Sequence, residues 1–197
     1  MTDGVVVIDP TEALEVAGAG FADRLRLVKP GDWERPTPCT EWDVRALVNH
    51  VVGGNVRYTM LLHGAPEDEV EATRAADNLG GDPVASFLSS AGEMLAAFHE
   101  EGALARVARH GAGERTGAEL LVMRVLDVAV HGWDLAVAIG GDQTIAPEVV
   151  ALLLERPPDL AGARQLGAFA QPSEEDPVKA SPQARLLQMV GRVPRSD

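Results

Sequence analysis

The chain has a single cysteine, few basic residues and no long hydrophobic run, and each of these shortages excludes a class of protein. Cys39 has no cysteine partner, so no intramolecular disulfide can hold the fold. Lys and Arg number 17 against 30 Asp and Glu, a net charge of -13. This charge disfavours nucleic acid or an acidic membrane surface as a partner, because phosphate groups would be repelled. No apolar run reaches the roughly 18 residues that a membrane-spanning helix needs.

Targeting signals and common catalytic motifs are missing as well. The N-terminal sequence MTDGVVVIDP lacks the basic segment and longer apolar core of a signal peptide, which predicts a cytoplasmic protein. H-E-x-x-H, G-x-S-x-G, P-loop and dinucleotide-binding motifs do not occur, so the common hydrolase and nucleotide-binding classes have no motif support. With 197 residues, 46% of them hydrophobic, the chain can bury the core of one domain.

Apolar residues recur every three or four positions in four long segments, which predicts an all-α fold of four main helices. These helices are expected over residues 10–29, 40–62, 83–99 and 119–140. For the second helix the sequence predicts Thr40 as the N-cap, with Cys39 and Val44 as a hydrophobic staple, so that Cys39 is a packing residue rather than a nucleophile.

The connecting and C-terminal segments predict less regular structure. Residues 102–117 are interpreted as a loop rich in glycine and charge, and residues 64–82 as a polar loop with a short helical turn. After Gly140 the chain is rich in proline, with short helices expected over 147–155 and 181–190. We therefore predict a four-helix bundle over residues 1–140 and an extension over 141–197 that packs on it.

The fourth helix combines a broad apolar surface with one narrow polar stripe. At 100° per residue, its polar residues Arg124, Asp127, His131 and Asp134 lie within about 80° of each other. The rest of the helix is apolar, which predicts burial on most sides. Burying a polar group without a partner costs about 2–7 kcal/mol, so this stripe must meet other polar groups or a ligand.

A metal ion would satisfy part of that stripe. Asp127 and His131 are one helical turn apart, and His50 lies on the inward face of the second helix, next to Gly53 and Gly54. The two glycines leave space there for a metal, a ligand or a closely packed helix. Two imidazoles and one carboxylate are typical of catalytic zinc, and nickel or ferrous iron accept the same ligands. The alternative is that His131 is a core histidine bonded to Asp127 and that His50 is unrelated.

Nothing in the sequence gives Arg124 a role, and the remaining histidines are interpreted as surface residues: His63, His99 and His110.

Two segments resemble a known family. TPCTEWDVRALVNHVVGGN (37–55) and MRVLDVAVHGWDLAVAIG (123–140) are similar to the actinobacterial metal-binding proteins of the mycothiol-dependent maleylpyruvate isomerase family, within the DinB-like superfamily. The resemblance implies a DinB-like four-helix bundle and a divalent metal, zinc before nickel or iron, held by His50, Asp127 and His131. The isomerase has glutamate where this chain has Asp127. Asp134, in the family's W-D pair, is expected to orient a ligating imidazole from behind.

The resemblance also implies a chemistry. Enzymes of the family use a low-molecular-weight thiol such as mycothiol, so the expected function is S-transferase-like action of that thiol on a small electrophile. The isomerase carries a separate C-terminal α/β domain, which this chain replaces by a proline-rich tail, so its isomerase activity is not expected here. A metal-containing binding module without turnover and a purely structural bundle are the alternatives. A homodimer is a further expectation, since bundles of this size often pair through an apolar face.

Overall fold

Helices dominate the computed structural model, which describes residues 8–111, 113–159 and 180–192. The all-α prediction is therefore confirmed. The chain forms α1 (Pro10–Arg26), α2 (Val44–Leu62), α3 (Glu67–Ala72), α4 (Pro83–His99), α5 (Gly117–Ile139), α6 (Pro147–Glu155) and α7 (Pro182–Met189). Two 3-10 turns, Pro30–Asp32 and Ala103–Ala105, and the strands β1 (Val107–His110) and β2 (Gly113–Thr116) complete the described elements.

Proline and a capping side chain begin several helices where the sequence predicts. The carboxylate of Asp82 accepts hydrogen bonds from the backbone N–H groups of Val84 and Ala85, just before Pro83 at the first position of α4. α5 begins with a capping box between Thr116 and Glu119. These contacts satisfy N–H groups that have no partner within the helix.

The start of α2 differs from the prediction. The helix begins at Val44, and the cap is Asp43, whose carboxylate accepts from Ala46 N at 2.8 Å, rather than Thr40. The preceding loop makes its own hydrogen bonds, since the N–H and hydroxyl of Thr37 both donate to the Trp42 carbonyl. These bonds keep residues 40–42 out of the helix, and Cys39 faces α5 instead of forming the predicted staple.

The segment interpreted as a loop over residues 102–117 contains a small β-hairpin. β1 and β2 pair antiparallel, with Val107 opposite Thr116 and His110 opposite Gly113. Each strand has four residues and is mostly exposed or half-exposed, so neither shows a sustained alternation of apolar and polar residues. The polar segment before α4 contains the predicted helical turn as α3.

The core lies between the four long helices. α1 packs against α5 and α4, and α2 packs against α4 and α5. α5 is buried along nearly its whole length, as its sequence predicts. α6 contacts α1 and α5, and α7 contacts α6. Within the described ranges, no helix is both long and apolar enough to cross a membrane. The division into a bundle over 1–140 and an extension over 141–197 stays a prediction.

Candidate metal centre

His50, Asp127 and His131 meet where α2 and α5 face each other. Asp127 Oδ1 lies 3.3 Å from His50 Nε2 and 3.2 Å from His131 Nε2. One ligand atom from each residue lies within 4.8 Å of the other two. The three predicted ligands therefore converge on one point, the two on α5 one turn apart and His50 from the facing helix.

Asp134 holds the far side of the His131 ring. Its Oδ2 atom is 3.0 Å from His131 Nδ1, and both side chains are fully buried. A carboxylate at one ring nitrogen fixes the imidazole orientation and leaves the other nitrogen directed at the site, which is the usual arrangement behind a histidine ligand. Here Nε2 is the atom directed at Asp127.

Arg124 supports Asp127 from the opposite side, a role that the sequence did not reveal. Its guanidinium is fully buried and donates to Asp127 Oδ2. It also donates to the Val51 carbonyl and to Asn55 Oδ1, each at 2.6 Å, and its Cζ lies 5.5 Å from the centre of the Tyr58 ring. One carboxylate oxygen of Asp127 is thus held by Arg124, and the other faces the two histidines.

The paired glycines of α2 make room for two arginines and an asparagine. A Cβ atom on Gly54 would lie 2.8 Å from Arg124 Cζ. A Cβ atom on Gly53 would lie 2.7 Å from Asn78 Nδ2 and 3.0 Å from Arg57 Nη1. Side chains that approach α2 this closely require residues without a Cβ, which explains why the helix tolerates two glycines in its interior.

A second polar cluster joins Cys39, Asp134 and Arg192, and sequence reasoning missed it. Arg192 Nε donates to Asp134 Oδ1 at 2.8 Å, and its Nη2 donates to Cys39 Sγ at 2.8 Å. Cys39 Sγ in turn lies 3.3 Å from Asp134 Oδ2. Arg192 follows α7, so the C-terminal segment reaches the C-terminal part of α5.

The two clusters differ in their fit to a metal ion. Cys39, His131 and Asp134 also lie close enough to share one ion. In that set, however, the guanidinium of Arg192 already supplies a positive charge to both the carboxylate and the sulfur. The set of His50, Asp127 and His131 offers two imidazole nitrogens and a carboxylate oxygen, the ligands that zinc and its neighbours prefer. It therefore fits a divalent metal better.

Burial and neighbouring charges set the protonation of this centre. Burial opposes ionisation of Asp127, but His50, His131 and Arg124 hold the pKa of its carboxyl well below the usual range. Burial lowers the pKa of His50 to about 4, although Asp127 opposes the shift. At neutral pH the carboxylate is charged and the His50 ring is neutral, and both forms can bind a metal.

A cleft of about 270 Å³ opens beside His50. Its lining residues come from α2, the segment before it and the segment after α3: Trp42, Ala46, Asn49, His50, Arg57, Arg74 and Asn78. The Trp42 ring packs on His50, with 4.5 Å between ring centres.

His63 and His99 are exposed, as predicted, with the His63 ring 2.8 Å from Glu100.

The fold and the three converging side chains define the protein as an all-α helical bundle with a candidate metal centre. Its sequence matches the mycothiol maleylpyruvate isomerase N-terminal domain over residues 14–136. The chain belongs to this family, and the resemblance inferred from residues 37–55 and 123–140 is confirmed.

The chain is also similar to two relatives and to two solved structures. Uncharacterized proteins from two strains of Mycobacterium tuberculosis are each 29% identical over 190 residues, which cover 95% of this chain and all of theirs. The crystal structure of the mycothiol-dependent maleylpyruvate isomerase superposes with a TM-score of 0.57 at 18% identity, covering 74% of this chain and 68% of that one. A histidine-to-alanine mutant of that isomerase gives a TM-score of 0.58 with the same identity and coverage. At this identity the likeness concerns the fold.

Proposed function

We propose that the protein is a metal-dependent enzyme that uses a low-molecular-weight thiol of the mycothiol type on a small electrophile. The convergence of His50, Asp127 and His131 beside an open cleft is the observation that carries this proposal. Membership of a family named for a mycothiol-dependent isomerase supports the thiol as cosubstrate.

His50, Asp127 and His131 would hold the divalent metal, zinc being the first candidate and nickel or iron the others. Three protein ligands are typical of catalytic zinc sites, which keep a further position for a substrate. When bound there, the metal would lower the pKa of a coordinated thiol and so supply a thiolate nucleophile at neutral pH.

The protein's own groups would keep these ligands in position. Asp134 orients the His131 ring, and Arg124 fixes the Asp127 carboxylate. The Trp42 ring packs on His50 and covers one of its faces. Because these partners are themselves buried or bonded, the ligands need little rearrangement when a metal binds, and preorganisation of this kind favours both affinity and rate.

A metal-containing binding module without turnover is the second candidate. The chain matches 68% of the solved isomerase, so about a third of that protein lies outside the match. Isomerisation of maleylpyruvate is for this reason not part of the proposal. The bundle could hold a metal and a thiol without the remaining parts of an active site.

Metal analysis of the purified protein, followed by a thiol-conjugation assay, tests the proposal. We expect one divalent metal per chain in the wild type and a loss of metal in His131→Ala. His99→Ala, which changes an exposed histidine at the end of α4, should keep the metal. Mycothiol conjugation to a panel of small electrophiles should depend on the metal and fail in His131→Ala.

Three results would contradict the proposal. Wild-type protein without stoichiometric metal, or unchanged metal content in His131→Ala, would exclude the metal centre. Stoichiometric metal without any thiol-dependent rate would favour the binding module. The cytoplasmic location and the homodimer stay predictions, which cell fractionation and light scattering can check.

A further inference from the structure

The C-terminal segment places a buried arginine behind the candidate metal centre. Arg192 follows α7, and only 5% of its surface is exposed. Its guanidinium binds both carboxylate oxygens of Asp134, with Nε 2.8 Å from Oδ1 and Nη2 3.0 Å from Oδ2. Asp134 Oδ2 in turn lies 3.0 Å from His131 Nδ1. Three side chains therefore lie in series, from the C-terminal segment to one of the three candidate ligands.

The end of α7 directs this arginine towards α5. The helix is followed by Gly191, whose φ of 69° lies in the left-handed region that glycine adopts without strain. The turn brings the backbone N–H of Arg192 within 2.8 Å of the Leu187 carbonyl oxygen. Gln183 anchors the start of α7, because its side-chain oxygen accepts from the Ile145 backbone N–H at 2.8 Å. Arg192 is thus held through its own backbone as well as through its side chain.

The paired hydrogen bonds determine what Arg192 does to Asp134. A carboxylate that is held through one oxygen can still rotate, whereas a guanidinium that binds both oxygens fixes the plane of the group. Fixing that plane also fixes Oδ2, the oxygen that faces His131 Nδ1. Both members of the ion pair are buried, and a buried ion pair adds little net stability over apolar packing. Stability alone therefore does not account for the pair, whereas orientation of the His131 ring does.

We propose that Arg192 is a positioning residue, which fixes the Asp134 carboxylate and through it directs His131 Nε2 at the metal centre. The inference rests on the proposed function, because it gives Arg192 a task at the proposed metal site. Loss of the group behind a histidine ligand typically weakens metal binding about 10–100-fold. Arg192 acts one contact further from the ligand, so its substitution should weaken metal binding by a smaller factor, about three- to tenfold.

Zinc affinity distinguishes orientation from a simple effect of charge. Zinc titrated into the metal-free full chain against a chelator gives the dissociation constant without requiring turnover. Arg192→Lys keeps the positive charge and loses the paired hydrogen bonds, so it should raise the dissociation constant about three- to tenfold. If Arg192 acted only through its charge, Arg192→Met would bind zinc more tightly, because a nearby cation repels the metal. Unchanged affinity in Arg192→Lys, or tighter binding in Arg192→Met, would overturn the proposal.

Two substitutions on α7 are the controls. Arg185→Met removes an exposed arginine of the same helix and should leave the zinc affinity unchanged. Gln183→Ala removes the anchor to Ile145 and does not touch Asp134. It should lower the free energy of unfolding without weakening zinc binding. If Gln183→Ala weakens zinc binding as much as Arg192→Lys does, Arg192 only anchors the segment and the proposal is wrong.

NMR of the His131 ring separates this inference from the proposed function. In protein with nitrogen-labelled histidine, the Nδ1–H proton that His131 donates to Asp134 should exchange with water faster in Arg192→Lys than in the wild type, with or without zinc. Equal exchange rates would overturn the positioning role. Wild-type protein that binds no zinc would refute the proposed function, and faster exchange in Arg192→Lys would still support the orientation of His131 by Arg192. If Arg192→Met does not fold, Arg192→Lys decides the result.

Discussion

Replacing Gly54 by alanine tests the buried arginine behind the candidate metal centre. In an exposed helix interior this change stabilises a protein by about 1 kcal/mol, because alanine has the higher helix propensity. At Gly54 the new Cβ would lie 2.8 Å from Arg124 Cζ and 3.0 Å from its Nη2. Real Cβ atoms do not approach other atoms so closely, so the guanidinium must move.

The displacement costs more than the propensity gains. Overpacking in a well-packed interior typically costs about 1–3 kcal/mol. Arg124 also holds Val51, Asn55 and Asp127, and a buried hydrogen bond to a charged group contributes about 1.5–3 kcal/mol. We expect Gly54→Ala to lower the free energy of unfolding by about 2–4 kcal/mol after the gain in propensity is subtracted. For a chain of this length, that corresponds to a Tm about 5–15 °C lower.

Urea and thermal unfolding followed by circular dichroism measure this effect, and Gly92→Ala is the matched control. Gly92 is in the interior of α4, where an added Cβ meets no atom within 4 Å, so its substitution should be neutral or stabilising by up to about 1 kcal/mol. If Gly54→Ala is as stable as Gly92→Ala, the argument is wrong. The argument is also wrong if Gly54→Ala lowers the free energy of unfolding equally in an Arg124→Met background. In that case a clash between the new Cβ and the guanidinium is not the cause of the lost stability.

Two further predictions concern helix ends. Asp82→Ala removes the cap that accepts hydrogen bonds from the N–H groups of Val84 and Ala85. In urea titration it should lower the free energy of unfolding by about 1 kcal/mol, whereas Asp82→Asn should retain most of the stability that the cap contributes. A free energy of unfolding that is the same in Asp82→Ala as in the wild type would show that the cap does not stabilise the fold. Glu119 accepts from the N–H and hydroxyl of Thr116, which lowers the pKa of its carboxyl. A lowered pKa stabilises the fold above the unfolded pKa, and this contribution is lost as the pH falls through the folded value. The Tm difference between wild type and Glu119→Gln should therefore shrink in acid, and a difference that is constant with pH would contradict the assignment.

The sequence predicts the helices well because their signals are local. Proline at the first helical position and a capping carboxylate mark the start of α4 within three residues. The narrow polar stripe of α5 identifies a helix that is buried on most sides. The spacing of one turn identifies the two candidate ligands on α5. By contrast, β1 and β2 are too short and too exposed to show a periodic pattern.

The supporting contacts escaped prediction because they join distant parts of the chain. Arg124 reaches Val51, 73 residues earlier, and Arg192 reaches Cys39 across 153 residues. No periodicity links such positions. One local signal was available for Arg124, namely the glycine pair in α2. Two glycines of low helix propensity in a helix interior indicate that a large group lies close to the helix there. The sequence pointed to the space, and the structure identifies a guanidinium in it.

The contact between Arg192 and Asp134 has a consequence for how the protein is made. Asp134 lies in the C-terminal part of α5, 58 residues before the arginine that it binds. A ribosome finishes the whole helical bundle before it adds Arg192, so the nascent bundle carries a buried carboxylate without that cation. Formation of the contact between Arg192 and Asp134 is therefore a late event in synthesis. A chain that ends between α6 and residue 192 would contain the residues of α1 to α5 and still lack the cation that contacts Asp134.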